Sequence, residues 1–250
     1  MLIPGLCSVT YRNLDADGVL DLAARAGLRT VEWGGDVHVP VGDLATARSV
    51  AARTAEAGLT VASYGSYFRA GVHGGFSDVL ATAVALGAPR IRVWAGDQGS
   101  AGADRAPVVA ALADAVRQAA TDGVQIGTES HGGTLTDTTA STLQLLAEVD
   151  DAVGAPLLTT YWQPTVDEDD DAALAELATL LDRVSTVHVF SWLPGTDRRP
   201  LSARDSLWQR AFTLLRQQGR QHDALLEFVP GDDPAVLGRE AATLTGWLNP

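Results

Sequence analysis

Two glutamates close apolar runs in this chain, Glu129 in QIGTE and Glu227 in ALLEF. A carboxylate carried inward by such a run is expensive to desolvate unless another charge compensates it. The chain contains no lysine, all 18 of its basic residues being arginine, so the compensating charge is an arginine such as Arg92 or a bound cation. Between the two glutamates, Gln163 follows the run TTYW and His188 sits inside the run VHVF. Glutamate, glutamine, histidine and glutamate together offer oxygen and nitrogen donors of the kind that suit Mn2+, Mg2+ or Co2+ and leave room for substrate oxygens. Taken singly, each has a plainer role: an ion pair for either glutamate, a satisfied core imidazole for His188, a loop cap for Gln163.

For four residues so far apart in sequence to act together, a repeated element must bring them to one place. The chain repeats a unit of about 30 residues: an alanine-rich amphipathic helix, a glycine, then a short β-branched run ending in polar or aromatic residues. The joints ARAG-LRTVEW, AEAG-LTVASY, ALGA-PRIRVW, ATDG-VQIGTE and VGAP-LLTTYW show it. Gly27, Gly58, Gly87 and Gly123 stand where a helix C′ residue needs positive φ. Adding Gly5–Val9, Thr186–Phe190 and Ala224–Phe228 gives eight strands, and helices are expected near 16–26, 43–57, 75–86, 106–121, 138–149, 168–181, 203–218 and 234–248. The acidic run 167–171 reads as a solvated cap at a helix start, where the dipole favours anions.

Eight alternating units predict an α/β fold, a single (β/α)8 barrel spanning residues 1–250 as one domain, and 250 residues is the usual size for it. In such a barrel every strand delivers its C-terminal end to the same face, where active sites of this fold are built. The segments after the strands carry four of the five histidines and four of the six tryptophans. Trp33, Trp94, Trp162 and Trp192 are candidate flat apolar walls for the C–H faces of a substrate, with ordinary rim packing as the alternative. Glu32 and His38 flank a GGD loop and are candidate substrate contacts. His131, two residues past Glu129, shares its side if the strand continues, and could touch substrate or brace a ligand.

Composition removes several chemistries. Without lysine there is no Schiff base, no pyridoxal-phosphate lysine and no P-loop. Net charge −13 repels a phosphate backbone, so nucleic acid is not an expected partner. One cysteine, Cys7, makes no intrachain disulfide, and no long apolar stretch or leader-like start points to a membrane or export. The expectation is a cytoplasmic protein, with a homo-oligomer left open.

The motifs GTESHGGTLTDT, YWQP, VHVF and LLEF, with VEWGGDVHVP earlier, resemble the sugar phosphate isomerase/epimerase group of the xylose isomerase-like barrel superfamily along the whole chain. The resemblance implies a divalent metal held by Glu129, Gln163, His188 and Glu227, with Glu129 and Glu227 also moving protons. Many relatives place aspartate where this chain has Gln163, and an amide holds the metal less tightly. The reaction implied is isomerisation or epimerisation of a small polyhydroxy carbonyl compound through an enediolate. A dehydratase or β-eliminating lyase, including 3-oxo-glycoside cleavage, would use the same residues. An abasic-site endonuclease needs a cationic groove that this acidity disfavours, and a non-catalytic binding protein would read Gln163 as a degraded site.

Overall fold

The computed structural model describes residues 1–249. Eight strands alternate with eight principal helices in the order β1 (Leu2–Cys7), α1 (Ala16–Arg25), β2 (Thr30–Gly34), α2 (Leu44–Glu56), β3 (Thr60–Arg69), α3 (Phe76–Leu86), β4 (Arg90–Trp94) and α4 (Arg105–Thr121), then β5 (Gln125–Thr128), α5 (Thr139–Val153), β6 (Thr159–Trp162), α6 (Asp170–Leu180), β7 (Val184–Val189), α7 (Asp205–Gln218), β8 (His222–Leu226) and α8 (Leu237–Leu248). The strands form a closed barrel in chain order, the expected α/β architecture. All four glycines expected to end helices do so at positive φ, between 70° and 75°.

Two compact units make up the chain. The first comprises Met1–Trp33, Ala52–Ala62 and Trp162–Pro250. Within it β1 runs parallel to β2 and to β8, and β7 runs parallel to β8. Strands β2, β7 and β8 are buried along their whole lengths, and they carry the polar residues Glu32, His188 and Asp223 into the interior with them. Helix α7 buries Leu207, Trp208, Ala211, Phe212 and Leu215, the spacing of one face of a 3.6-residue helix. Asp169 caps α6 by accepting from the amides of Asp171 and Ala172, so the acidic run is a helix cap, an arrangement that contributes about 1 kcal/mol.

The second unit comprises Gly34–Ala51 and Ser63–Tyr161. Here β3, β4, β5 and β6 pair in parallel succession. A Cβ added at Gly127 would come 2.6 Å from the Tyr161 ring, so only glycine lets β5 and its neighbour approach this closely. Helix α4 buries Val108, Leu112, Ala115, Val116 and Ala119 on one face.

The differences from expectation lie at strand ends. β1 begins at Leu2 and stops at Cys7, with Ser8–Tyr11 forming a 3-10 turn, because pairing of Leu2 with His222 through Leu6 with Leu226 sets the register of both strands. β8 accordingly stops at Leu226, and Phe228 turns away at φ 53°. β3 is longer than expected and shifts register against β4 between Gly65 and Arg69, with Tyr67 at φ 56°. Such a bulge re-aims side chains at a strand's end.

Candidate functional site

In the first unit, buried His188 on β7 is the centre. Its Nδ1 lies 3.0 Å from Oε1 of Gln163, the residue following β6, and 3.3 Å from Oε2 of Glu227, the residue following β8. Glu227 is fixed through its own backbone, whose N–H donates to the Val189 carbonyl at 3.2 Å. On the other side of the ring, Nε2 lies 3.8 Å from Oε1 of Glu32 on β2. The same oxygen accepts from the Cys7 thiol at 3.9 Å. Cys7 and Glu32 are register partners across β1 and β2, which is why they meet.

These contacts define the chemistry available. Nδ1 is faced by an amide oxygen and a carboxylate oxygen, both acceptors, so the space they share favours a positive charge. An imidazole nitrogen, an amide oxygen and a carboxylate oxygen are the donors a divalent cation of the Mn2+ or Mg2+ type accepts, and the residues present fit such an ion.

The second unit solves the carboxylate problem differently. Glu129 is 4% exposed, and its Oε2 accepts from an Arg92 guanidinium nitrogen and from the Trp94 indole N–H. Its backbone is pinned on both sides, the N–H donating to Val93 and the carbonyl accepting from the Thr136 hydroxyl. Trp94 stacks on His131 with ring centres 4.4 Å apart and carries the Arg69 guanidinium 4.0 Å from its ring centre. Arg92 stands 5.3 Å from the centre of the Tyr67 ring.

Within the first unit, buried Cys7, Glu32 and His188 have ligand atoms within 4.8 Å of one another and could hold a metal ion. Gln163 meets His188 directly. The expected substrate contacts are placed less uniformly. Glu32 is buried at 1% exposure against His188 and Cys7 rather than in an open loop, so it faces those side chains and not solvent. His38 is likewise buried, its amide bonded to Gly34. Trp162 is 1% exposed and packs edge-on against Trp208 at 5.8 Å, the packing alternative. β5 ends at Thr128, so His131 does not continue the strand. It sits in the following turn, its ring bonded to the Gly132 carbonyl.

Trp192 keeps a rim position, half-buried, stacked on Phe190 at 4.3 Å and tilted against Phe228 at 5.8 Å. Its indole N–H has no acceptor among the described residues. Tyr11 lies under the loop that follows β8. Burial first, then the negative charges of Asp232, Asp233 and Glu240, push its phenol well above the usual tyrosine range, so it stays a protonated hydroxyl. Sequence reasoning did not find Cys7, Tyr67 or Arg69 as neighbours of the site. Cys7 could have been found by its place at the end of the first apolar run, but Tyr67 and Arg69 depend on the β3 bulge.

A family model described as the xylose isomerase-like TIM barrel matches residues 20–245. Among solved structures, the probable 3-DHS dehydratase AsbF involved in petrobactin synthesis from Bacillus anthracis superposes with a TM-score of 0.78 at 20% identity, covering 98% of this chain and 99% of that one. D-psicose 3-epimerase from Clostridium cellulolyticum H10, solved with D-tagatose, gives 0.69 at 14% identity, with 98% of each chain covered. An L-ribulose 3-epimerase gives 0.67 at 19%, covering 99% and 95%. No curated protein matches the sequence significantly.

Proposed function

This chain belongs to the xylose isomerase-like TIM barrel family, and from that premise we propose that it is a divalent-metal-dependent isomerase or epimerase of a small sugar or related polyhydroxy carbonyl compound. The observation that carries the reading is the pair of oxygen acceptors, from Gln163 and Glu227, facing His188 Nδ1 within 3.3 Å. Gln163, His188, Glu227 and Glu129 would hold the cation, with Mn2+, Mg2+ and Co2+ all compatible with the donor set. When bound, the ion supplies Lewis acidity at the substrate's carbonyl and adjacent hydroxyl oxygens, lowering the barrier to removing the proton between them.

The remaining work belongs to the chain. One of Glu227 and Glu129 takes the proton from the carbon beside the carbonyl, and the other returns it, to the neighbouring carbon or to the opposite face. Arg92 and Trp94, both donating to Oε2 of Glu129, set that carboxylate's orientation. Trp192 offers a ring face for substrate C–H groups and an indole N–H for a hydroxyl oxygen. Proton abstraction beside a carbonyl also begins a β-elimination, and the superposition on a probable dehydratase at TM-score 0.78 favours dehydration as the second reading.

The test is metal analysis of the purified chain followed by incubation with keto and aldo sugars in D2O. About one divalent ion per chain, chelator-sensitive deuterium incorporation at the carbon beside the carbonyl, and sugar products of unchanged mass apart from deuterium support isomerisation or epimerisation. Products lacking the elements of water turn the reading to dehydration. Glu227→Gln should lower turnover by about 10²–10⁴-fold, the usual share of a general acid or base. Full exchange after exhaustive chelation overturns the metal-dependent reading.

A further inference from the structure

His188 presents two nitrogens to two different environments. Nδ1 meets the Gln163 and Glu227 oxygens, while Nε2 lies 3.8 Å from Oε1 of Glu32, just beyond hydrogen-bond distance. An imidazole can give a lone pair to a cation at Nδ1 only if its ring proton resides on Nε2. We propose that Glu32 is a positioning residue for His188. Its carboxylate holds the Nε2–H tautomer and the ring plane, so that the Nδ1 lone pair is directed at the cation site. The role rests on the metal-dependent reading above.

Three observations fit this role. Glu32 is 1% exposed and His188 0%, so the orientation is set in a place where water does not compete for either group. The Cys7 thiol donates to the same Oε1, and register pairing of Cys7 with Glu32 holds the carboxylate on the side of the ring away from Gln163 and Glu227. Carboxylates that accept the second N–H of a metal-binding histidine fix its tautomer, and their loss lowers metal affinity about 10–100-fold. From 3.8 Å, a closure of about 0.8 Å, within the rotational freedom of a glutamate side chain, completes the hydrogen bond.

The experiment uses the full chain labelled with 15N-histidine, observed by NMR with and without Mg2+, as wild type, Glu32→Gln and Glu32→Ala. The expected result is a protonated Nε2 on His188 in the wild type with a slowly exchanging proton. Glu32→Ala should lose that proton or move it partly to Nδ1, and should bind Mg2+ and Mn2+ 10–100-fold more weakly by calorimetry. Glu32→Gln retains an acceptor oxygen and should recover most of both, which separates orientation from charge. It also keeps the test alive if the alanine variant fails to fold.

An unchanged Nε2 proton in Glu32→Ala overturns the proposal. So does a thiolate-to-cobalt absorption band in the Co2+ protein that vanishes in Cys7→Ser, since Cys7, Glu32 and His188 would then be ligands themselves. A wild-type chain that binds no divalent ion removes the metal-dependent reading alone, while the tautomer comparison in the metal-free protein still decides the part played by Glu32.

Discussion

The two units of the chain each bury a carboxylate at a strand end, and they treat it in opposite ways. Around Glu129 the protein brings its own cation, Arg92, and adds the Trp94 indole. Around Glu227 it brings a neutral-capable imidazole whose Nδ1 also meets Gln163, while Glu32 lies by the other ring nitrogen. The first arrangement is electrostatically complete as built, because a guanidinium offsets a carboxylate at short range. The second gathers an amide oxygen and a carboxylate oxygen around one imidazole nitrogen, a donor set that fits a divalent cation.

The largest effect that would sharpen this contrast is on stability. Arg92 and Glu129 side chains are 3% and 5% exposed, so Arg92→Met strands a buried carboxylate and should cost about 3–5 kcal/mol in a urea denaturation series. Adding Glu129→Gln to Arg92→Met should restore much of the loss. If the single variant unfolds at the same denaturant concentration as wild type, Glu129 does not depend on Arg92 and the contrast fails.

A smaller effect concerns Gln163. In the proposed cation site Gln163 contributes a neutral amide oxygen beside Glu227, and Gln163→Asp adds one negative charge there. Mn2+ affinity should rise about tenfold while turnover falls, because added ligand charge blunts the ion's Lewis acidity. Gln163→Ala should bind about tenfold more weakly than wild type. Equal affinities in calorimetry across all three chains would remove Gln163 from the ligand set.

The smallest effect is a pH dependence beside α6. Burial, helped by the neighbouring Glu176 and Asp169 charges, pushes the Glu168 carboxyl up from 4.5 to about 7. A raised carboxyl favours the folded state in its protonated form, so its contribution is fully present below pH 4.5 and is lost as pH rises through 7. Glu168→Gln should flatten the stability profile across that window by a modest amount, since the group is only half-buried. A Tm difference between the two chains that stays constant from pH 4.5 to 7 would refute it.

Most of the scaffold was legible in the sequence because its signals are local. A helix face repeats every three or four residues, a C′ glycine ends it, and an apolar run marks the strand, so the eight units could be read without knowing how they pack. Glu129, His188 and Glu227 stood out for the same reason, as polar residues in or just after apolar runs. The rest depends on registers set far along the chain. Glu32 was read as a loop contact, yet it is a β2 residue whose neighbours come from β1 and β7. His131 was read along a continuing strand that ends at Thr128. Arg92 was named as a partner for Glu129, but that the pairing forms follows from the parallel register of β4 with β5.

The seam between β1 and β8 also has a consequence for how the chain is made. Leu2 through Leu6 pair with His222 through Leu226, so the first strand receives its partner on this side only after roughly 220 more residues have been synthesised. At about 5–20 residues per second that is about 10–40 s. During that interval β1 has β2 on one flank and a bare row of backbone donors and acceptors on the other, a template for pairing with any extended chain nearby.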